Sequence, residues 1–73
     1  MNKPHVYQIR IKDHLDERWI DWFSPLIIFN EPDGEATLTG PVRDQAELHG
    51  LLDRVFELNL TLLAVNRILV PSG

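Results

Sequence analysis

The chain has 73 residues and a formal net charge of −4 at pH 7, from 7 Lys and Arg against 11 Asp and Glu. That length predicts a single domain, residues 1–73, whose core is marginal without a partner, so we expect a homodimer. The lack of cysteine in the sequence excludes disulfide scaffolds and thiol chemistry. No apolar run approaches the roughly 20 residues of a membrane-spanning helix, and we expect a cytoplasmic protein with no membrane partner.

The first predicted element is a half-buried strand from Tyr7 to Lys12, where apolar and polar residues alternate strictly. Asp16 then fits the N-cap of a short helix with an apolar stripe of aromatic residues. We expect Trp19 in the core and Trp22 partly exposed. Pro25 limits this helix, because the residue before a proline is pushed out of the helical region.

A hairpin is predicted next. The segment Leu26–Phe29 is apolar on both faces, as for a strand, and the loop 30–34 contains Pro followed by Asp-Gly, which favours a turn. A second strand is predicted from Glu35 to Gly40.

A long helix is predicted after the hairpin. Asp44 begins a capping-box pattern with Glu47, and leucine and valine residues follow at a helical period. Asn59 is suited to the left-handed conformation that ends a helix, and a last strand is predicted from Leu60 to about Ile68. The order of elements predicts an α+β fold, the ferredoxin-like βαββαβ arrangement, with a four-stranded antiparallel sheet and two helices on one face. Strands one and three are expected in the centre of the sheet.

The sheet face without helices is the candidate site. Its predicted middle is polar and could hold a small anionic or polar ligand through Gln8, Arg10, Thr37 and Thr39. Its edge segments, 26–29 and 60–65, are apolar and invite pairing or face-to-face packing. We therefore expect these residues at a homodimer interface: Trp22, Leu26, Ile28 and Leu62.

Several stretches resemble short uncharacterised bacterial proteins. One is HLD-x2-W-x2-WF, beginning at His14, and another is GPV-x-DQA-x-LHGLL, beginning at Gly40. The resemblance covers about residues 6–67 and implies a bacterial origin, with no activity attached to it. Pro25 and Asn59 stand where those proteins are expected to have glycine, and both residues still interrupt a helix.

Catalysis and metal binding have little support in the sequence. The histidines 5, 14 and 49 lack metal-ligand spacing, and no nucleophile stands in a recognised arrangement, so we predict no catalytic residues, metal or other cofactor. Gly50 is costly inside a helix, and we expect another backbone packed closely against it rather than a ligand. We do not expect nucleic acid as a partner, since residues 13–35 carry seven acids and only Arg18 as a base.

The sequence thus favours a non-enzymatic homodimeric interaction or small-ligand-binding module. The alternative is a compact enzyme subunit of the dimeric α/β-barrel type, which would use the open sheet face together with a histidine as the acid or base. An RNA-recognition use of that face is a third possibility, but the face lacks the aromatic pair that stacks on bases.

Overall fold

The computed structural model describes residues 5–68. These residues form a mixed α and β structure with one sheet, one α-helix and one short 3-10 helix. The strands are β1 (His5–Ile11), β2 (Ile27–Asn30), β3 (Ala36–Val42) and β4 (Leu62–Ile68), and the helices are the 3-10 helix Glu17–Trp19 and α1 (Gln45–Glu57).

All neighbouring strands of the sheet are antiparallel. The strand order is β2-β3-β1-β4, so β1 and β3 lie in the centre as the sequence predicts. In the register of the central pair, Ile9 lies opposite Leu38 and Ile11 lies opposite Ala36. These four side chains are fully buried, and they fix which face of the sheet carries the core.

The predicted ferredoxin-like fold is wrong, because the described chain contains one α-helix and not two. Between β1 and β2 only Glu17–Trp19 is helical, and in it the N–H of residue i+3 donates to the carbonyl of residue i, as Trp19 N–H does to the Asp16 carbonyl at 3.0 Å. The N-cap itself forms, since the Asp16 carboxylate accepts from Arg18 N–H. Aromatic and β-branched residues have modest helix propensity, and Pro25 leaves too few residues for a helix to propagate.

Helix α1 begins as predicted. The Asp44 carboxylate accepts a hydrogen bond from Glu47 N–H at 2.8 Å, and the Glu47 carboxylate accepts one from Arg43 N–H at 3.0 Å. Both acids therefore satisfy N–H groups at the start of the helix that have no partner within it. Asn59 follows the helix with φ of 61°, which confirms the predicted left-handed termination.

The hairpin between β2 and β3 is also confirmed. Glu31 N–H donates to the Glu35 carbonyl at 2.7 Å, and Gly34 has φ of 92°, a conformation that glycine adopts at no steric cost. The turn sets the register of the two strands, in which Ile28 lies opposite Leu38.

The core lies between one face of the sheet and a cover formed by α1 and the 13–26 segment. Leu51 and Val55 of α1 are buried in it, as are Leu15 and Phe23 of the segment. Trp19 is half-buried and packs against the core from its margin, so it is less enclosed than predicted. The opposite face of the sheet has neither helix nor segment against it among residues 5–68.

Two glycines differ in what their missing side chains allow. A Cβ on Gly40 would lie 2.9 Å from Leu26 Cδ2 and 3.0 Å from the Pro25 carbonyl oxygen, so the chain entering β2 passes directly over this residue. A Cβ on Gly50 would have no atom within 4 Å. The prediction that another backbone packs against Gly50 is therefore wrong for the described chain.

Candidate functional site

The face of the sheet turned away from α1 is the candidate site, and we call it the open face. Side chains alternate along each strand, so the residues next to the buried ones point to this side. The cross-strand register then defines its members. They are Ile27 and Phe29 of β2, Thr37, Thr39 and Pro41 of β3, Val6, Gln8 and Arg10 of β1, and Ala64, Asn66 and Ile68 of β4.

The four predicted ligand-binding residues come together in the centre of the open face. Gln8 lies opposite Thr39, and Arg10 lies opposite Thr37, in two cross-strand pairs separated by the inward-facing pair of Ile9 and Leu38. Directly opposed residues have Cβ atoms about 4.5–5.5 Å apart, so the four side chains form one continuous polar patch.

Two of these four side chains already have acidic partners in the chain. Arg10 Nε lies 3.6 Å from a carboxylate oxygen of Glu35, with both side chains partly exposed. The Thr37 hydroxyl donates to the Glu31 carboxylate at 3.4 Å, and Thr37 is only 5% exposed. The patch therefore contains both signs of charge, and its single guanidinium is not a free anion site.

The predicted interface residues lie mostly on the core side. Leu26 is 3% exposed and belongs to the core, while Ile28 and Leu62 are half-buried and pack against it. Trp22 is half-buried, and its ring lies 4.9 Å from that of Trp19 at an angle of 45°. Three of the four residues predicted at the dimer interface therefore pack in or against the core of their own chain.

The exposed apolar side chains of β2 are Ile27 and Phe29, which flank Ile28 in the strand. Ile27 is 74% exposed and Phe29 is 58% exposed, and both stand on the open face beside Thr39 and Thr37. All four residues of 26–29 are apolar, so the sequence alone does not separate the two faces of this strand. Once Ile28 is assigned to the core, period two places Ile27 and Phe29 outside it.

The other edge of the open face is less apolar. A bulge on β4 separates Ala64, opposite Arg10, from Leu62, opposite Ile11. The extra residue is Leu63, which is 44% exposed, and Ile68 at the end of β4 is 37% exposed. A bulge bends an edge strand and disrupts its free hydrogen-bonding groups, which makes edge-to-edge pairing along β4 less favourable than packing through a face.

The histidines take part in local contacts. His14 Nε2 lies 2.6 Å from the Glu31 carbonyl oxygen, and His49 Nδ1 lies 3.5 Å from the Asp53 carboxylate, one turn along α1. Within residues 5–68, no three side chains of His, Asp or Glu are grouped so that they could hold a metal ion.

No helix of the described chain is long and apolar enough to cross a membrane.

The sequence and the structure were compared with known proteins to assign a family. Neither the curated proteins nor the solved structures give a significant match. A family model described as a domain of unknown function, DUF8691, matches residues 6–66, which include every strand of the sheet except its outermost residues. The chain therefore belongs to the DUF8691 family.

Proposed function

We propose that this protein is a non-enzymatic homodimeric interaction module, in which two copies pack through their open faces. The observation that carries the proposal is the exposure of Ile27 (74%) and Phe29 (58%) side by side on the face of the sheet that has no helix packed against it in the described chain. A sheet normally buries its apolar side chains against another layer. A second copy supplies that layer and enlarges the core, which is small because the chain has only 73 residues.

The charges of the open face support pairing with an identical copy. In a two-fold interface the same patch appears on both sides, so each charge needs its opposite within the patch. Arg10 and Glu35 meet this need, since they lie 3.6 Å apart on the same chain. Across a two-fold axis, Arg10 of one copy can face the partner's Glu35, and the four charges then alternate in sign.

The same contacts favour an interaction module over a carrier of small anions. The carboxylates of Glu35 and Glu31 already occupy the neighbourhood of Arg10 and Thr37. A small anion would have to displace the first and lie close to the second, and like charges repel at that distance. The resemblance to short bacterial proteins supports a bacterial origin for this module.

Two exposed phenylalanines provide a matched test. Phe29 on the open face is 58% exposed, and Phe56 on α1 is 57% exposed, so replacing either with lysine removes a similar exposed surface. We expect Phe29→Lys to yield folded monomer, because the variant places two like charges in the apolar part of the interface. We expect Phe56→Lys to remain a dimer.

The masses would be measured by light scattering after gel filtration, with circular dichroism as the check on folding. A folded Phe29→Lys protein that stays dimeric would contradict the assignment of the open face. Equal loss of the dimer in both variants would show that the effect comes from added charge and not from position.

A further inference from the structure

A second site lies on the other side of the molecule, along α1. A cavity of about 220 Å³ is lined by residues of α1 and by the end of the 13–26 segment. The lining residues are Ser24, Pro25, Glu47, Gly50, Leu51 and Arg54. It is separate from the open face, which is on the opposite side of the sheet.

Gly50 is the first observation that points to a ligand. A glycine inside a helix destabilises it by about 1 kcal/mol relative to alanine. Nothing in the described chain requires this glycine, since an added Cβ would meet no atom within 4 Å. Its missing side chain instead leaves the wall of the cavity open down to the backbone of α1.

The second observation is that Arg54 is held in place without a carboxylate partner in the described chain. One guanidinium nitrogen, Nη1, donates to the Trp22 carbonyl at 2.6 Å, which holds the half-buried side chain against the 13–26 segment. Arg54 forms no ion pair within residues 5–68, whereas Arg10, Arg18 and Arg43 each have a carboxylate partner. A fixed guanidinium that retains donors and lacks a counter-charge is suited to a carboxylate, which it can bind through two parallel hydrogen bonds.

The remaining groups define the sign and size of the ligand. Glu47 also lines the cavity, but its carboxylate pairs with Arg43, through Nε at 3.3 Å and the backbone N–H at 3.0 Å, and forms no ion pair with Arg54. Unlike Arg10 on the open face, Arg54 can therefore meet an anion without giving up a carboxylate partner. The Ser24 hydroxyl can donate to an oxyanion, and Pro25 and Leu51 provide an apolar wall. The volume of about 220 Å³ is below the range of sites for drug-sized ligands, about 300–1,000 Å³.

We propose that this cavity binds a carboxylate carried on a short apolar stem, with Arg54 as the charge partner and Gly50 as the open wall. Such a carboxylate can belong either to a small free carboxylic acid or to the acidic side chain of a partner protein. The proposal does not depend on the dimer through the open face.

The test is an NMR titration of the full chain at constant ionic strength. The probes are sodium propionate, the neutral isostere propionamide, and acetyl-aspartate amide as a mimic of an acidic side chain. We expect saturable shifts of the backbone amides of Ser24, Gly50 and Leu51 with propionate, and none with propionamide. Tighter binding of acetyl-aspartate amide than of propionate would assign the site to a partner protein, and the reverse order to a free acid.

The blocking variant is Gly50→Leu, which fills the cavity without changing Arg54 and favours the helix. We expect it to weaken propionate binding at least about tenfold, equivalent to about 1.4 kcal/mol, while the melting temperature does not fall. No saturable shift in the native protein, equal shifts with propionamide, or unchanged binding by folded Gly50→Leu would each overturn the proposal.

Discussion

The side-chain amide of Asn30 holds both backbone groups of Leu15. Leu15 N–H donates to Asn30 Oδ1 at 2.9 Å, and Asn30 Nδ2 donates to the Leu15 carbonyl at 3.1 Å. This pair of bonds joins the irregular segment after β1 to the last residue of β2. It anchors the cover of the core where no α-helix forms to do so.

Asn30→Ala should therefore destabilise the protein. The substitution leaves a partly buried N–H and carbonyl of Leu15 without partners, and we expect the free energy of unfolding to fall by about 1–3 kcal/mol. Urea denaturation measures the change. Gln45→Ala, which removes an exposed amide at the start of α1, is the control and should change stability by less than about 0.5 kcal/mol.

Asp44→Ala tests the start of α1. It removes the acceptor of the Glu47 N–H bond, and we expect a loss of about 1 kcal/mol in the free energy of unfolding. Asp21→Ala removes another exposed acid and serves as the control for charge. Equal denaturation midpoints for the two variants would rule out a stabilising cap at Asp44.

The two glycines should respond to alanine in opposite directions. Gly40→Ala places a Cβ 2.9 Å from Leu26 Cδ2, and overpacking of this kind costs about 1–3 kcal/mol. Gly50→Ala meets no atom and should raise the free energy of unfolding by about 1 kcal/mol through helix propensity. Thermal or urea denaturation of both variants checks the signs, and destabilisation by Gly50→Ala would mean that something else packs there.

Arg10 and Glu35 should act as a charge pair across the proposed interface as well as within one chain. Arg10→Glu brings acids together on both copies, and we expect the dimer dissociation constant to rise about tenfold or more. The double variant Arg10→Glu with Glu35→Arg restores alternating charge and should recover most of the affinity. Analytical ultracentrifugation gives the constants, and failure of the double variant to recover would place the pair outside the interface.

Much of the sheet could be predicted from local patterns. The alternation of Tyr7 to Lys12, the Asp-Gly turn and the capping box at Asp44 each depend on residues close in sequence, and all three appear in the structure. The strand order is the one expected for the ferredoxin-like arrangement, although residues 5–68 contain one α-helix where that arrangement has two.

The absence of an α-helix between β1 and β2 could not be predicted from local patterns. Its capping residue, Asp16, and its aromatic spacing are genuine, and Phe23 is buried as a helical stripe would place it. The segment is nevertheless too short and too poor in strong helix formers to complete regular turns before Pro25. Tertiary packing of Phe23 then holds it in an irregular form.

The side-chain contacts of the open face could not be predicted from the sequence either. The ion pair of Arg10 with Glu35 and the bond from Thr37 to Glu31 depend on how the hairpin turn brings acids back beside the central strands. The sequence predicted the polar patch but not its neutralisation.

The mass of the native protein in solution shows whether two copies pair through the open face. Light scattering during gel filtration at micromolar concentration should give twice the single-chain mass of 8.4 kDa, because the open face then lies against a second copy. A mass of 8.4 kDa across that concentration range would show that the protein is a monomer and that the open face does not pair.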